Sequence, residues 1–192
     1  MAYPTVSAPY GLKPVNRIDG MAYAGAIRQI PMASGYTATF FGDAVKIVDG
    51  YVDKDTGTTA ATPCGVFVGC QYVNSLGQTV RAQNAPAGQT NCVAYVVDDP
   101  MAAFKVAVVS GTTVIAGVSR TVVGSNMALV QNAGNTTTGD SAVAVLSTSS
   151  NTTASLPIRV IDVVPDTATG ADSYVELIVK INTHQYNNTT GV

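Results

Sequence analysis

Apolar and polar positions alternate with a period of two over most of the chain. From Tyr174 to Ile181, Val175, Leu177, Val179 and Ile181 fall on one face and Tyr174, Glu176, Ile178 and Lys180 on the other, which predicts a strand. Residues Ile158 to Val164 predict its partner. Gly65 to Val73 predicts a further strand, with Val66, Val68 and Cys70 facing away from Phe67. Asn74-Ser75-Leu76-Gly77 turns it onto Thr79–Ala82, and Asp49-Gly50 turns the chain after Ala44–Val48. Asn91 to Val97 and Phe104 to Val109 predict two strands joined through Asp98-Asp99-Pro100, with a single helical turn at Met101-Ala102-Ala103. The small polar stretches 132–138 and 147–155 read as loops or tips around a short strand at 142–146. No window carries a sustained apolar period of 3.6, so no helix beyond about two turns is expected.

Residues 1–34 break this rhythm. Pro4, Pro9, Pro14 and Pro31 recur among Tyr3, Tyr10 and Tyr23. Proline lacks the amide that a helix or central strand needs and biases the preceding residue towards extended geometry. The stretch reads as an extended arm too apolar to hang free. The expected organisation is an arm over 1–34, a β-rich body over 35–184 and a polar tail over 185–192.

Composition strengthens the β reading. The 192 residues include 28 Val, 23 Thr and 9 Ile but only 6 Leu and a single Glu, Glu176. Residues branched at Cβ suit a pleated surface, whereas Leu, Glu and Lys are the good helix formers. The fold class is therefore all-β with little helix: a β-sandwich or barrel-like body with an extended Pro-rich N-terminal arm. Charged residues make up 11%, with Lys+Arg 10 against Asp+Glu 12, a net charge of −2. No basic excess is available to neutralise phosphates, so no nucleic-acid partner is expected. Gly, Pro and polar residues interrupt every apolar run before a membrane-spanning length, so no membrane partner is expected either. The start, Met1-Ala2-Tyr3-Pro4-Thr5, shows neither the basic nor the apolar region of an export signal.

Candidate chemistry is sparse. His184 is the sole histidine, and any Ser/His or Cys/His device would have to use it; its position after a strand and beside a polar tail suggests a solvent-facing or interface residue. Cys64, Cys70 and Cys92 are expected to be buried reduced thiols acting as small hydrophobes. Asp98-Asp99 would point apart in an extended segment, which favours a turn with side-chain caps over a catalytic pair. Asp53-x-Asp55-x-Gly57 has part of a calcium loop's pattern but lacks its spacing and terminal Glu. Neither catalytic residues, metal ligands nor a cofactor is expected. Asn-x-Thr triplets at 135, 151 and 188 are chance matches in a chain rich in both residues. Arg17, Arg28, Arg81, Arg120 and Arg159 stand among small or apolar neighbours, the setting in which arginine serves interfaces; Arg17 and Arg28, on the arm, are the foremost candidates.

Several blocks carry a resemblance: Ala8-Pro9-Tyr10-Gly11-Leu12-Lys13-Pro14-Val15-Asn16, Tyr23-Ala24-Gly25-Ala26-Ile27-Arg28-Gln29-Ile30, Phe41-Gly42-Asp43-Ala44-Val45-Lys46, Gly65-Val66-Phe67-Val68-Gly69-Cys70 and Tyr95-Val96-Val97-Asp98-Asp99-Pro100. With these the chain resembles virion structural proteins of tailed phages of aquatic bacteria, and among them the capsid cement (decoration) proteins of cyanophages. The resemblance implies a small β-rich protein, a homotrimer, on the outer capsid surface of the virion. Its partner would be the major capsid protein. The arm, through Tyr3, Pro4, Tyr10, Leu12, Pro14, Arg17 and Arg28, is expected to lie across neighbouring capsid subunits, as by strand addition. Competing readings are a tail-tube or head–tail protein, a host-binding head-surface protein with glycan-directed tips, and a small hydrolase built on His184.

Overall fold

The computed structural model describes residues 8–22, 24–167, 175–188 and 191. Tyr3, Pro4, Tyr23 and Tyr174 lie outside them. Thirteen strands are formed among the described residues: β1 Lys13–Arg17, β2 Arg28–Pro31, β3 Ala44–Val48, β4 Tyr51–Lys54, β5 Gly65–Val73, β6 Thr79–Ala82, β7 Thr90–Val97, β8 Ala102–Val109, β9 Asn126–Met127, β10 Leu129–Val130, β11 Ala144–Leu146, β12 Ile158–Val163 and β13 Glu176–Ile181. The helical content among those residues is four three-residue 3-10 turns. The chain is all-β, as its Val and Thr content requires.

The strands make two sheets. One runs β2-β7-β5-β3-β4, with β6 hairpinned onto β5, and a parallel bridge between Met32 and Val52 brings its ends together into a near-closed barrel. Ile30, Met32, Val45, Val52, Phe67, Cys70, Cys92, Ala94 and Val96 fill it. The other sheet is open and runs β10-β11-β8-β13-β12-β9, with β1 on the same edge of β8 as β11. Its inner face (Phe104, Val106, Val108, Val160, Leu177, Val179 and Ile181) packs against Ala44, Val66 and Val68 on the outside of the barrel. Strand β5 is thus apolar on both faces, as a strand shared by two cores must be.

The predicted face of Val175, Leu177, Val179 and Ile181 lies in this second core, and β12 is the predicted partner of β13. The Asp49-Gly50 turn has both residues at positive φ, 50° and 83°, which is the hairpin geometry that matches strand twist. Three expectations change. Cys70 joins Phe67 inside the barrel, because a bulge between Phe67 and Gly69 shifts the register by one residue. Met101-Ala102-Ala103 is not a helical turn: Asp99 Oδ1 accepts the Met101 amide (2.8 Å), and Ala102 and Ala103 then pair with Arg17 and Asn16. The polar tail begins fastened, since the Gln185 side chain accepts from the Ile47 amide (2.8 Å) and donates to its carbonyl (3.1 Å).

The expected arm needs the largest correction. It is extended over β1 and β2, but both strands belong to the body's own sheets, so residue 34 marks no structural division. Leu12 is 0% exposed, a member of the core beside Val66 and Phe104. Gly11, at φ 81°, lets the chain enter: a Cβ there would meet the Ser141 Cβ at 2.7 Å and the Gly42 carbonyl oxygen at 2.8 Å. Leu12 then donates its amide to Gly42 (2.9 Å), and Gly42 donates to Phe67 (2.8 Å).

Candidate functional site

Two regions gather polar side chains at the surface. The first lies where the sheets meet, around the corner between β7 and β8. Asp98 and Asp99 follow one another there at the exit of β7, and their carboxylates take different partners. Each takes one arginine, and the two arginines come from different sheets. Arg17, closing β1, pairs with Asp99; Arg28, opening β2, donates through Nε to Asp98 Oδ2 at 2.8 Å. Tyr186 also donates its hydroxyl to Asp98 Oδ2 (3.1 Å), and the Arg28 guanidinium lies 5.2 Å from the Tyr186 ring centroid.

This double clasp pins both ends of the segment between β1 and β2 to consecutive residues. The segment is therefore a surface loop with closed ends. Every described residue from Asp19 to Gln29 is exposed. Asp19 turns the start of the loop by accepting from Arg17 Nη2 (2.7 Å) and from the Met21 amide (3.1 Å). The same guanidinium, then that amide, hold the Asp19 carboxyl below the usual carboxylate range. Beyond Asp19 the loop is neutral until Arg28, and among its described residues it shows two large apolar side chains, Met21 at 65% and Ile27 at 50% exposure. Val15 and Met101 are exposed at its base, where Ile18 donates its amide to the Met101 carbonyl (3.0 Å).

Beneath the clasp lies His184. The expected solvent-facing histidine is instead 0% exposed. Thr183 reaches the Ala61 carbonyl (2.7 Å) and Gln185 donates its amide to Pro63 (3.0 Å), which draws the ring inward between them. Its Nδ1 accepts from the Tyr186 amide (3.2 Å), which places the neutral ring's proton on Nε2; that atom has no hydrogen-bond partner among the described residues. Burial pushes its pKa down to about 4, against the opposing pull of the Asp99 charge. The ring is a neutral packing element at pH 7.

The second region is a cleft of about 690 Å³ on the outer face of the open sheet. Lys13 and Lys105 are direct register partners there, and Lys105 is opposite Ile178 on its other side, so all three share a face with Glu176. Tyr10 donates its hydroxyl to Glu176 Oε1 (2.6 Å), Lys105 Nζ lies 3.4 Å from the same oxygen, and Lys13 pairs with Asp140 Oδ1 (2.8 Å). Burial first, then this carboxylate, push the Tyr10 phenol well above its ordinary range.

No protein-family profile, curated protein or solved structure matches the chain.

The remaining sequence candidates resolve as structure. Asp55 is buried, with Oδ1 accepting the Gly57 amide (2.9 Å) and Oδ2 the Thr62 amide (2.9 Å), so the 53–57 stretch is a capped turn. Among the described residues no group of three His, Cys, Asp or Glu side chains is placed to hold a metal. Cys64, Cys70 and Cys92 are buried free thiols, and burial pushes Cys64 up to about 12. Of the seven interface candidates, Arg17 and Arg28 come together at the clasp. Tyr10 sits in the cleft, Leu12 is in the core, and Pro14 is half-buried in β1 opposite Phe104. The exposed loop side chains Met21 and Ile27 are not among the interface candidates read from sequence; the signal for them is two arginines flanking ten uncharged or turn-forming residues ahead of an Asp-Asp pair.

Proposed function

We propose that the chain is a structural protein of a tailed-phage virion that sits on the outer capsid surface and cements neighbouring major capsid protein subunits. The observation that supports this most is the clasped loop. Its charged ends are consumed by internal pairs, so the face it offers is apolar and neutral, and the body behind it is fixed by two sheets. Such a face matches another protein's apolar surface better than it matches an ionic ligand. The contact made by one copy is small. Three copies gathered as a trimer would engage several capsid subunits at once and multiply the affinity, and binding to the assembled lattice would stabilise that lattice by mass action.

The arm enters this reading in altered form. Residues 9–17 hold the body together, and the loop after them makes the contact. The test is co-sedimentation of the purified protein with DNA-free expanded capsid shells, alongside native mass spectrometry of the free protein. Saturable binding of a trimer supports the proposal. Rings or tubes of the free protein with no shell binding would replace it with a tail role.

A further inference from the structure

We infer that the cleft on the outer face of the open sheet is a binding site for a neutral saccharide. Its volume, about 690 Å³, lies within the range of small-molecule sites. Five segments build it: the chain entering and opening β1, strand β8, the loop after β8 at Thr113, the loop before β11 and strand β13.

Among the described residues the cleft holds two cations and two anions, Lys13 with Asp140 and Lys105 with Glu176. A ligand bearing a full charge would meet its own sign as closely as the opposite one, and would have to break an internal pair to gain. A neutral ligand with several hydroxyls meets no such conflict. In both carboxylates the internal contacts fall on one oxygen. Asp140 Oδ1 takes Lys13 and Gln83, and Glu176 Oε1 takes Tyr10 and Lys105. Among the described residues Asp140 Oδ2 is left as an acceptor, and each ammonium keeps donors beyond its carboxylate contact. A pyranose presents adjacent hydroxyls that both donate and accept, which suits a wall of alternating ammonium and carboxylate groups.

The half-buried Tyr10 ring gives the cleft an apolar wall for a sugar's C–H groups, with Lys105 Nζ over the ring at 5.7 Å from its centroid. The far wall is set in advance. Asn135 accepts the Thr137 amide on Oδ1 (2.8 Å), its own amide reaches the Asp140 carbonyl (2.8 Å), and Gly139 donates back to the Asn135 carbonyl (2.8 Å). A site whose walls need no ordering loses less affinity on binding. This inference stands apart from capsid cementing: the cleft residues and the clasped loop share no side chain.

The test uses the full chain and the methyl glycosides of glucose, galactose and mannose as probes, with glucuronate and glucosamine as charged controls. Saturation-transfer and backbone-shift NMR follow binding at millimolar concentration. At least one neutral glycoside should bind more tightly than either charged control, with shifts centred on Asn135, Asp140 and Lys105. Asp140→Ala should weaken it about tenfold, the loss of one charged hydrogen bond, and Asp140→Asn should recover part of that because an acceptor remains. Asp140 is 39% exposed at its side chain, so neither variant threatens the core. Absence of binding by all three neutral probes, tighter binding of a charged control, or affinity unmoved by Asp140→Ala would each overturn the inference. Shell co-sedimentation of Asp140→Ala should equal that of the unaltered protein, which separates failure here from failure of the cementing role.

Discussion

Residues 9–17 and 18–29 are adjacent, and both read from sequence as one Pro- and Tyr-rich arm, yet the body treats them oppositely. The first stretch is taken in: Leu12 is fully buried and β1 completes an edge of β8. The second is held out, its described residues exposed from Asp19 to Gln29, and it is clasped at both ends. Composition announced that both would be extended. It did not announce which would find a partner within the same molecule, because that depends on what the unpaired edge of β8 and the gap beside Gly42 leave to be filled. A stretch that fills such a gap is structural, and the stretch beside it is free to face another molecule.

The largest effect expected from this contrast is on stability. Leu12→Ala removes a fully buried side chain and should cost about 2–5 kcal/mol in urea denaturation, whereas Met21→Ala should stay within about 0.5 kcal/mol. Equal costs would erase the distinction. The glycines sharpen it. Gly11→Ala forces a methyl group against Ser141 and the Gly42 backbone and should cost more than about 2 kcal/mol, while Gly25→Ala, at a similar φ of 71° with nothing within 4 Å, should lose only the roughly 1 kcal/mol of the left-handed conformation.

A smaller effect comes through His184, which supports the clasp from below. Its folded pKa of about 4 lies beneath the ordinary value of 6.5, so the unfolded chain takes up the proton first. The stability it contributes is complete above about pH 6.5 and is lost as the pH falls towards 4. Denaturation midpoints at pH 7, 5.5 and 4.5 should fall more steeply for the unaltered protein than for His184→Gln. Parallel slopes would show that the ring is not the titrating group. The smallest effect on stability belongs to Arg28→Ala. Arg28 is half exposed, and exposed pairs contribute little. The denaturation midpoint should barely move, but limited proteolysis between 18 and 27 should quicken as one end of the loop comes loose.

Much of the fold was legible for a physical reason. Strand period, turn chemistry and the Val and Thr excess are local properties, and β13, its pairing with β12, the Asp49-Gly50 turn and the Asn74 hairpin all followed from them. The bulge at Phe67–Gly69 and the barrel closure between Met32 and Val52 did not, since each depends on contacts distant in sequence. Four of the five blocks that suggested a virion protein meet at one place. Gly11 and Leu12, Gly42 and Asp43, Gly65 and Val66, and Val97 to Asp99 lie where the barrel joins the open sheet. A Cβ on Gly65 would sit 2.3 Å from the Val97 carbonyl oxygen, and buried Asp43 accepts from Ser141 (2.6 Å) and pairs with Lys54 (3.0 Å). These motifs are the molecule's internal fastening. The candidate interaction face was hidden because its residues, Met21 and Ile27, are ordinary apolar side chains until the clasp around them is known.

The most direct test is shell binding by a loop variant that keeps the body intact. Met21→Ser/Ile27→Ser in the full chain should leave urea denaturation unchanged and abolish co-sedimentation with expanded capsid shells. Undiminished binding by that variant would show that the clasped loop is not the contact.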